Sequence, residues 1–120
     1  MPFVDTQALP ITERLPGWRA RIFHSQTMTF AHYEFDAGSS IHEHGHEQEE
    51  VWNVIEGALE VTIAGVAQVA RAGMVAIVPP HTRHSVRALT DGKAIIVDWP
   101  LRPDAAGAVA SEAALAQSGR

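Results

Sequence analysis

The chain has 120 residues and a formal charge of −5, from 9 basic against 14 acidic residues, with 46% hydrophobic residues and no cysteine. That length favours one domain, and the apolar content is enough for one core. An acidic balance without Lys or Arg clusters argues against nucleic acid and anionic membrane surfaces as partners, and the lack of cysteine excludes disulfides, thiolate nucleophiles and thiolate metal sites.

Residues 1–15 show neither a basic start followed by an apolar stretch nor an Arg-rich amphipathic pattern. The longest strongly apolar stretch, 73–80, falls far short of the roughly 20 residues a membrane helix needs. The chain therefore reads as a soluble, cytoplasmic protein. From residue 18 to 100 it is a series of short β-branched and aromatic segments separated by Gly, Pro, Asp and Ser, the pattern of an all-β sandwich or barrel. Strands are predicted at 18–23, 28–35, 40–46, 51–55, 59–63, 66–71, 75–78, 85–89 and 94–99. The turns between them carry Asp36-Ala37-Gly38, Glu56-Gly57, Ala64-Gly65, Ala72-Gly73, Pro79-Pro80 and Asp91-Gly92, residues that accept φ > 0 or fix φ.

Leu59-Glu60-Val61-Thr62-Ile63 alternates strictly, as a half-buried strand does. The segments 75–78 and 94–97 are apolar on both faces, which predicts strands covered on both sides by a partner subunit, hence a homodimer. Residues 1–103 are read as one domain. Residues 104–120 are Ala-rich, with Val109 and Leu115 as their larger apolar side chains, and read as a short surface helix or a frayed tail.

Three of the seven histidines, His42, His44 and His46, stand at two-residue spacing, which on a continuous strand puts their rings on one face. Neutral imidazoles suit Zn, Cu, Fe and Ni, and a nearby carboxylate makes a mixed nitrogen and oxygen site for a divalent ion. Two rings from one strand serve one ion only as near neighbours on one face, a condition His44 and His46 meet. Taken alone, the same triplet reads as solvated imidazoles on a polar strand.

The wider spacing bears on that choice. Gly38 is followed by five residues, His44, one residue, His46, three residues, Glu50, six residues and Gly57; a second element runs from Gly73 over five residues to Pro79, then four residues to His84. These segments, 38–57 and 73–88, resemble the two conserved motifs of the cupin superfamily, with Val54-Ile55-Glu56-Gly57 closing the first and the run 78–86 forming the second. The resemblance spans residues 28–99 and is to small single-domain members. It implies a jelly-roll barrel of two antiparallel sheets, in which His44, His46, Glu50 and His84 converge on one divalent transition metal. His81 stands where the family usually has Gly, and Ala88 where it usually has Asn. The first departure predicts an altered turn before His84, with His81 an ordinary loop residue.

Around such a site, His42 would share the ligands' face as a hydrogen-bond donor or proton carrier. Glu49 reads as a solvated neighbour of Glu50, and Glu47 and Gln48 as exposed loop. Parity with the ligands places Trp52, Val54, Val86 and Ala88 on a largely apolar pocket wall, although Trp52 and Trp99 read equally as core aromatics. No basic residue other than the imidazoles is placed inside the barrel, and Arg83 and Arg87 are candidates to flank an entrance. Three His and one Glu saturate tetrahedral Zn(II), whereas six-coordinate Fe(II), Mn(II), Ni(II) or Co(II) keeps about two positions for substrate or dioxygen. The resemblance favours a metal-dependent enzyme on a small chelating substrate, a dioxygenase first and an isomerase or lyase second. The alternative is a non-catalytic small-molecule-binding or sensing module with a structural metal.

Overall fold

The computed structural model describes residues 2–103, so the expected tail at 104–120 lies outside the described residues. After a short 3₁₀ turn at Thr6–Ala8, capped by Asp5, which accepts the Gln7 N–H, the chain is all β. Its strands are β1 (Thr12–Leu15), β2 (Trp18–His24), β3 (Thr29–Phe35), β4 (Ser40–His44), β5 (Glu49–Glu56), β6 (Ala58–Ile63), β7 (Val66–Arg71), β8 (Val75–Val78), β9 (His84–Ala88) and β10 (Gly92–Trp99). They form two antiparallel sheets, one in the order β1-β2-β3-β10-β5-β8 and one in the order β4-β9-β6-β7. No helix among the described residues is long and apolar enough to cross a membrane.

Alternation decides which face each strand buries. On β3 the residues Ala31, Tyr33 and Phe35 point inward, on β5 Trp52 and Val54, on β6 Leu59 and Val61, and on β10 Ala94 and Ile96. They meet between the sheets around Trp18, which packs edge-on to Tyr33 and Trp52, while Tyr33 and Trp52 stack with rings 6.1 Å apart. Burying aromatics of this size supplies much of the hydrophobic drive for closing the sheets on one another.

Gly57 shows why the first motif ends on glycine. Its φ is +82°, and a Cβ there would collide with the Asp91 carbonyl oxygen. Only glycine combines that backbone with so close an approach.

The strand rhythm matches the sequence reading, with 66–71 and 75–78 agreeing residue for residue. Strand β1 was not anticipated, because Thr-Glu-Arg-Leu between two prolines carries neither alternation nor β-branched enrichment. The segment 40–46 is strand only as far as His44. The outward side chains of 75–78 and 94–97 are covered in the single chain far less than two-sided burial requires: Val75 and Ile77 are exposed, and Ile95 and Val97 are half-buried. Trp99 is exposed as well, so it is no core aromatic.

Candidate metal centre

The site is assembled where β4 ends and where β5 and β9 begin. On β4, Ile41 pairs with Val86 and His44 with His84, so three steps along β4 oppose two along β9. This β-bulge turns both Ile41 and His44 inward. It also corrects the expectation for His42, whose ring does not share the ligands' face: His42 and Glu43 are both exposed. The backbone of His42 nevertheless contributes, because its carbonyl accepts a hydrogen bond from His44 Nδ1 at 2.9 Å.

His46 follows in the bend after β4, Glu50 is the second residue of β5 and His84 the first of β9. One donor atom from each of His44, His46 and His84 lies within 4.8 Å of the others. The Glu50 carboxylate joins them, with Oε1 3.2 Å from His46 Nε2 and Oε2 3.2 Å from His84 Nε2. The four residues of the two motifs thus meet in space.

Each imidazole is oriented from behind. Nδ1 of His44, His46 and His84 lies 2.9, 3.1 and 2.9 Å from the carbonyls of His42, Gln48 and Thr82. A carbonyl only accepts, so each Nδ1 carries a proton, and in the neutral imidazole Nε2 is then the lone-pair atom. These Nε2 atoms are buried, and those of His46 and His84 face the buried Glu50 carboxylate. Electron-pair donors held so close need protons or a cation among them, and three imidazole nitrogens with one carboxylate form a donor set suited to a divalent transition metal.

Glu50 is itself positioned. It is fully buried, and Trp52 Nε1 donates to its Oε2 at 2.6 Å. Directly across on β10, Asp98 pairs in register with Glu50 and is 1% exposed. Between the two carboxylates lies Arg102, 2% exposed, with Nη1 3.3 Å from Glu50 Oε1 and 3.6 Å from Asp98 Oδ2. The chain after β10 returns across the barrel end to place it: Arg102 N–H donates to Thr29 Oγ1 at 2.8 Å, and Gln48 Nε2 donates to the Leu101 carbonyl at 2.9 Å.

These contacts differ from two expectations and add one residue not singled out in the sequence. Gln48 is buried rather than exposed loop, a basic side chain does stand inside the barrel, and Asp98 joins the cluster. Asp98 was detectable as the one acid on the inward parity of β10, after Ala94 and Ile96. Arg102 and Gln48 carry no local signal, because only the returning segment brings them in.

Trp52, Val54, Val86 and Ala88 keep their inward parity but are sealed, at 0 to 2% exposure, in the core behind the centre. They back the site rather than line an opening, because aromatic packing fills the barrel there. The opening that reaches the site is a depression of about 560 Å³ lined by Gly45, His46, Glu47, Gln48, Leu101, Arg102 and Pro103. Arg87 lies elsewhere, exposed and facing Glu60, while Arg83 is exposed, faces Glu43 and lies beside Gly45 of the opening. His81 is exposed with φ +59°, the left-handed conformation that explains why glycine is usual there, and its N–H donates to the His46 carbonyl at 2.7 Å. His81 thus keeps the backbone conformation glycine would take, and its N–H ties the loop before β9 to the loop that carries His46.

Two facing antiparallel sheets closed around a buried His/Glu cluster define a β-barrel protein with a candidate metal-binding site. The cupin domain model matches residues 31–100, and the chain belongs to the cupin family. Among solved structures it is similar to an RmlC-like cupin from Shewanella frigidimarina NCIMB 400, at 28% identity over 87% of this chain and 95% of that one, with a TM-score of 0.81. It is similar also to KdgF from Halomonas sp., at 27% identity over 88% of this chain and 98% of that one, with a TM-score of 0.81. A variant of Bacillus subtilis oxalate decarboxylase shares the fold at 17% identity, over 81% of this chain and 29% of that one, with a TM-score of 0.74. A search of curated proteins gives no match.

Proposed function

We propose that this chain is a metal-dependent enzyme that holds one divalent ion through His44, His46, Glu50 and His84 and acts on a small organic anion. The observation that carries this reading is the convergence of three imidazoles, each fixed by its Nδ1 bond, on the buried Glu50, beside an opening that contains a buried arginine. When bound, the ion supplies Lewis acidity toward substrate oxygens or a site for dioxygen.

The charges choose the substrate class. Glu50 and Asp98 against Arg102 leave one net negative charge in the buried group, and a divalent ion turns this into one net positive charge. A monoanionic group, such as a carboxylate, restores neutrality, which is valuable where water is excluded. An opening of about 560 Å³ suits a small molecule.

Asp98 is a second buried carboxylate grouped with His46 and Glu50, a proton acceptor and donor of the kind such chemistry uses. This favours isomerase or lyase chemistry. Dioxygenase chemistry is supported by the donor set, which leaves about two of six positions open on Fe(II). Oxygen uptake by Fe(II)-loaded protein against a panel of small 2-oxo and 2-hydroxy acids, alongside proton NMR of the same acids with Mn(II)-free Zn(II) protein, separates the two. Turnover without oxygen uptake supports the first, and silence in both assays returns the protein to the binding-module reading.

The outer face of the larger sheet supports a homodimer. Phe23, Phe30, Val97, Val51 and Ile77 form one apolar row across five strands, flanked by Ile95 and Val75, with Arg19, Glu34 and Lys93 at one end and Glu49 at the other. Five strands about 4.8 Å apart and eight residues rising about 3.3 Å each span on the order of 600 Å², near the roughly 800 Å² per partner of a standard interface. A flat apolar row with a charged rim is best complemented by the same row of a second copy. Ile77→Lys, at an exposed position, should leave the fold intact and shift sedimentation from dimer to monomer; a variant still dimeric, or a monomeric wild type, contradicts this interface.

A further inference from the structure

Glu50 and Asp98 are direct cross-strand neighbours, both pointing inward and both essentially without solvent contact. Like charges opposed on adjacent strands repel, and burial removes the water that would screen them. The guanidinium of Arg102 lies between them, and the backbone that carries it is fastened at Thr29 and Gln48. Its placement is built into the fold. Yet Glu50 Oε1, the oxygen nearest this guanidinium, belongs to the carboxylate that also faces His46 and His84. One carboxylate is therefore claimed by a resident cation and by the ion-binding imidazole cluster.

We infer that Arg102 is the resident counter-cation of the metal-binding carboxylate: it neutralises Glu50 and Asp98 before the metal arrives, competes with the metal for Glu50, and thereby sets the site's affinity. With a divalent ion in place, the two cations repel across Glu50, and the guanidinium remains with Asp98, where it can meet a substrate anion. Trp52 keeps Glu50 oriented throughout, since its bond goes to the other carboxylate oxygen. The inference rests on the proposed metal-binding role of Glu50.

Two substitutions then have opposite signs. Arg102→Gln removes the competing cation and should tighten metal binding, whereas Asp98→Asn removes a neutralising anion and should weaken it. A purely structural brace gives one sign, because loss of either partner would loosen the site. The test is the Co(II) dissociation constant from competition with a chromophoric chelator, measured on wild type, Arg102→Gln, Arg102→Lys and Asp98→Asn, with circular dichroism confirming the fold. The expected changes are about tenfold tighter for Arg102→Gln, about tenfold weaker for Asp98→Asn and within about threefold of wild type for Arg102→Lys, in line with the size of effects from residues just behind metal ligands. Arg102→Gln that folds and binds Co(II) no tighter than wild type overturns the inference. Should that variant fail to fold, ¹⁵N NMR of the wild-type protein decides: the buried guanidinium resonance must move as one equivalent of Zn(II) is added, and an unchanged resonance overturns the inference. Absence of Co(II) binding by wild type would instead overturn the metal-binding reading itself, which distinguishes the two failures.

Discussion

Replacing Trp52 with Phe isolates the role of one hydrogen bond behind the metal centre. The indole N–H donates to Glu50 Oε2 at 2.6 Å, both groups are fully buried, and phenylalanine keeps the ring stacked on Tyr33 while deleting the donor. A hydrogen bond to a charged group contributes about 1.5–3 kcal/mol, and the space vacated by the smaller ring costs about 1 kcal/mol more. Metal-free Trp52→Phe should thus be about 2.5–4 kcal/mol less stable in urea unfolding. Orientation of Glu50 should suffer too, with Co(II) affinity falling about 10- to 100-fold, as found for partners that aim metal ligands. Chelator competition on the folded variant reads this second effect separately from the first. A variant that loses only the packing contribution and binds Co(II) as tightly as wild type would refute the claim that Trp52 holds Glu50 in place.

Other substitutions probe the neighbouring residues. His42→Ala should leave metal stoichiometry and affinity unchanged within about twofold, since the His42 ring is exposed and meets His44 only edge-on, while the hydrogen bond that orients His44 is accepted by the His42 backbone carbonyl; a large loss on chelator titration would restore the ring to the site. His81→Gly relieves a left-handed non-glycine backbone on an exposed loop and should stabilise the fold by about 1 kcal/mol in urea unfolding, with a destabilised variant contradicting that account. On the outer face of the larger sheet, burial pushes the His32 imidazole below its ordinary value of 6.5. The unfolded chain then binds more protons than the folded one, so His32 stabilises fully above pH 6.5 and that contribution is lost as pH falls toward the folded value. His32→Gln should therefore flatten the pH dependence of thermal unfolding below pH 6.5, and an unchanged slope would contradict this.

Period-two alternation and turn residues made most of the sheet legible, because burial on one face leaves that imprint on every long strand, as in Leu59, Val61 and their outward neighbours. The spacing of His44, His46, Glu50 and His84 was legible as motif, and the structure brings those side chains together. What parity could not reveal is the bulge in β4, since one extra residue reverses the face of everything before it and sends His42 outward. Asp98 was readable as a lone acid in an apolar inward row but was passed over as ordinary strand. Arg102 and Gln48 were beyond reach, because their burial depends on a turn of chain after β10 that is held by long-range bonds from Arg102 N–H to Thr29 and from Gln48 to the Leu101 carbonyl.

X-ray absorption of the protein loaded with one equivalent of Co(II) tests the metal centre most directly, because it counts ligands by type. The expected spectrum contains three imidazoles and one carboxylate, with His84→Ala reduced to two imidazoles. A spectrum with fewer than three imidazoles in wild type, or one unchanged by His84→Ala, would contradict the assignment of His44, His46, Glu50 and His84 to one ion.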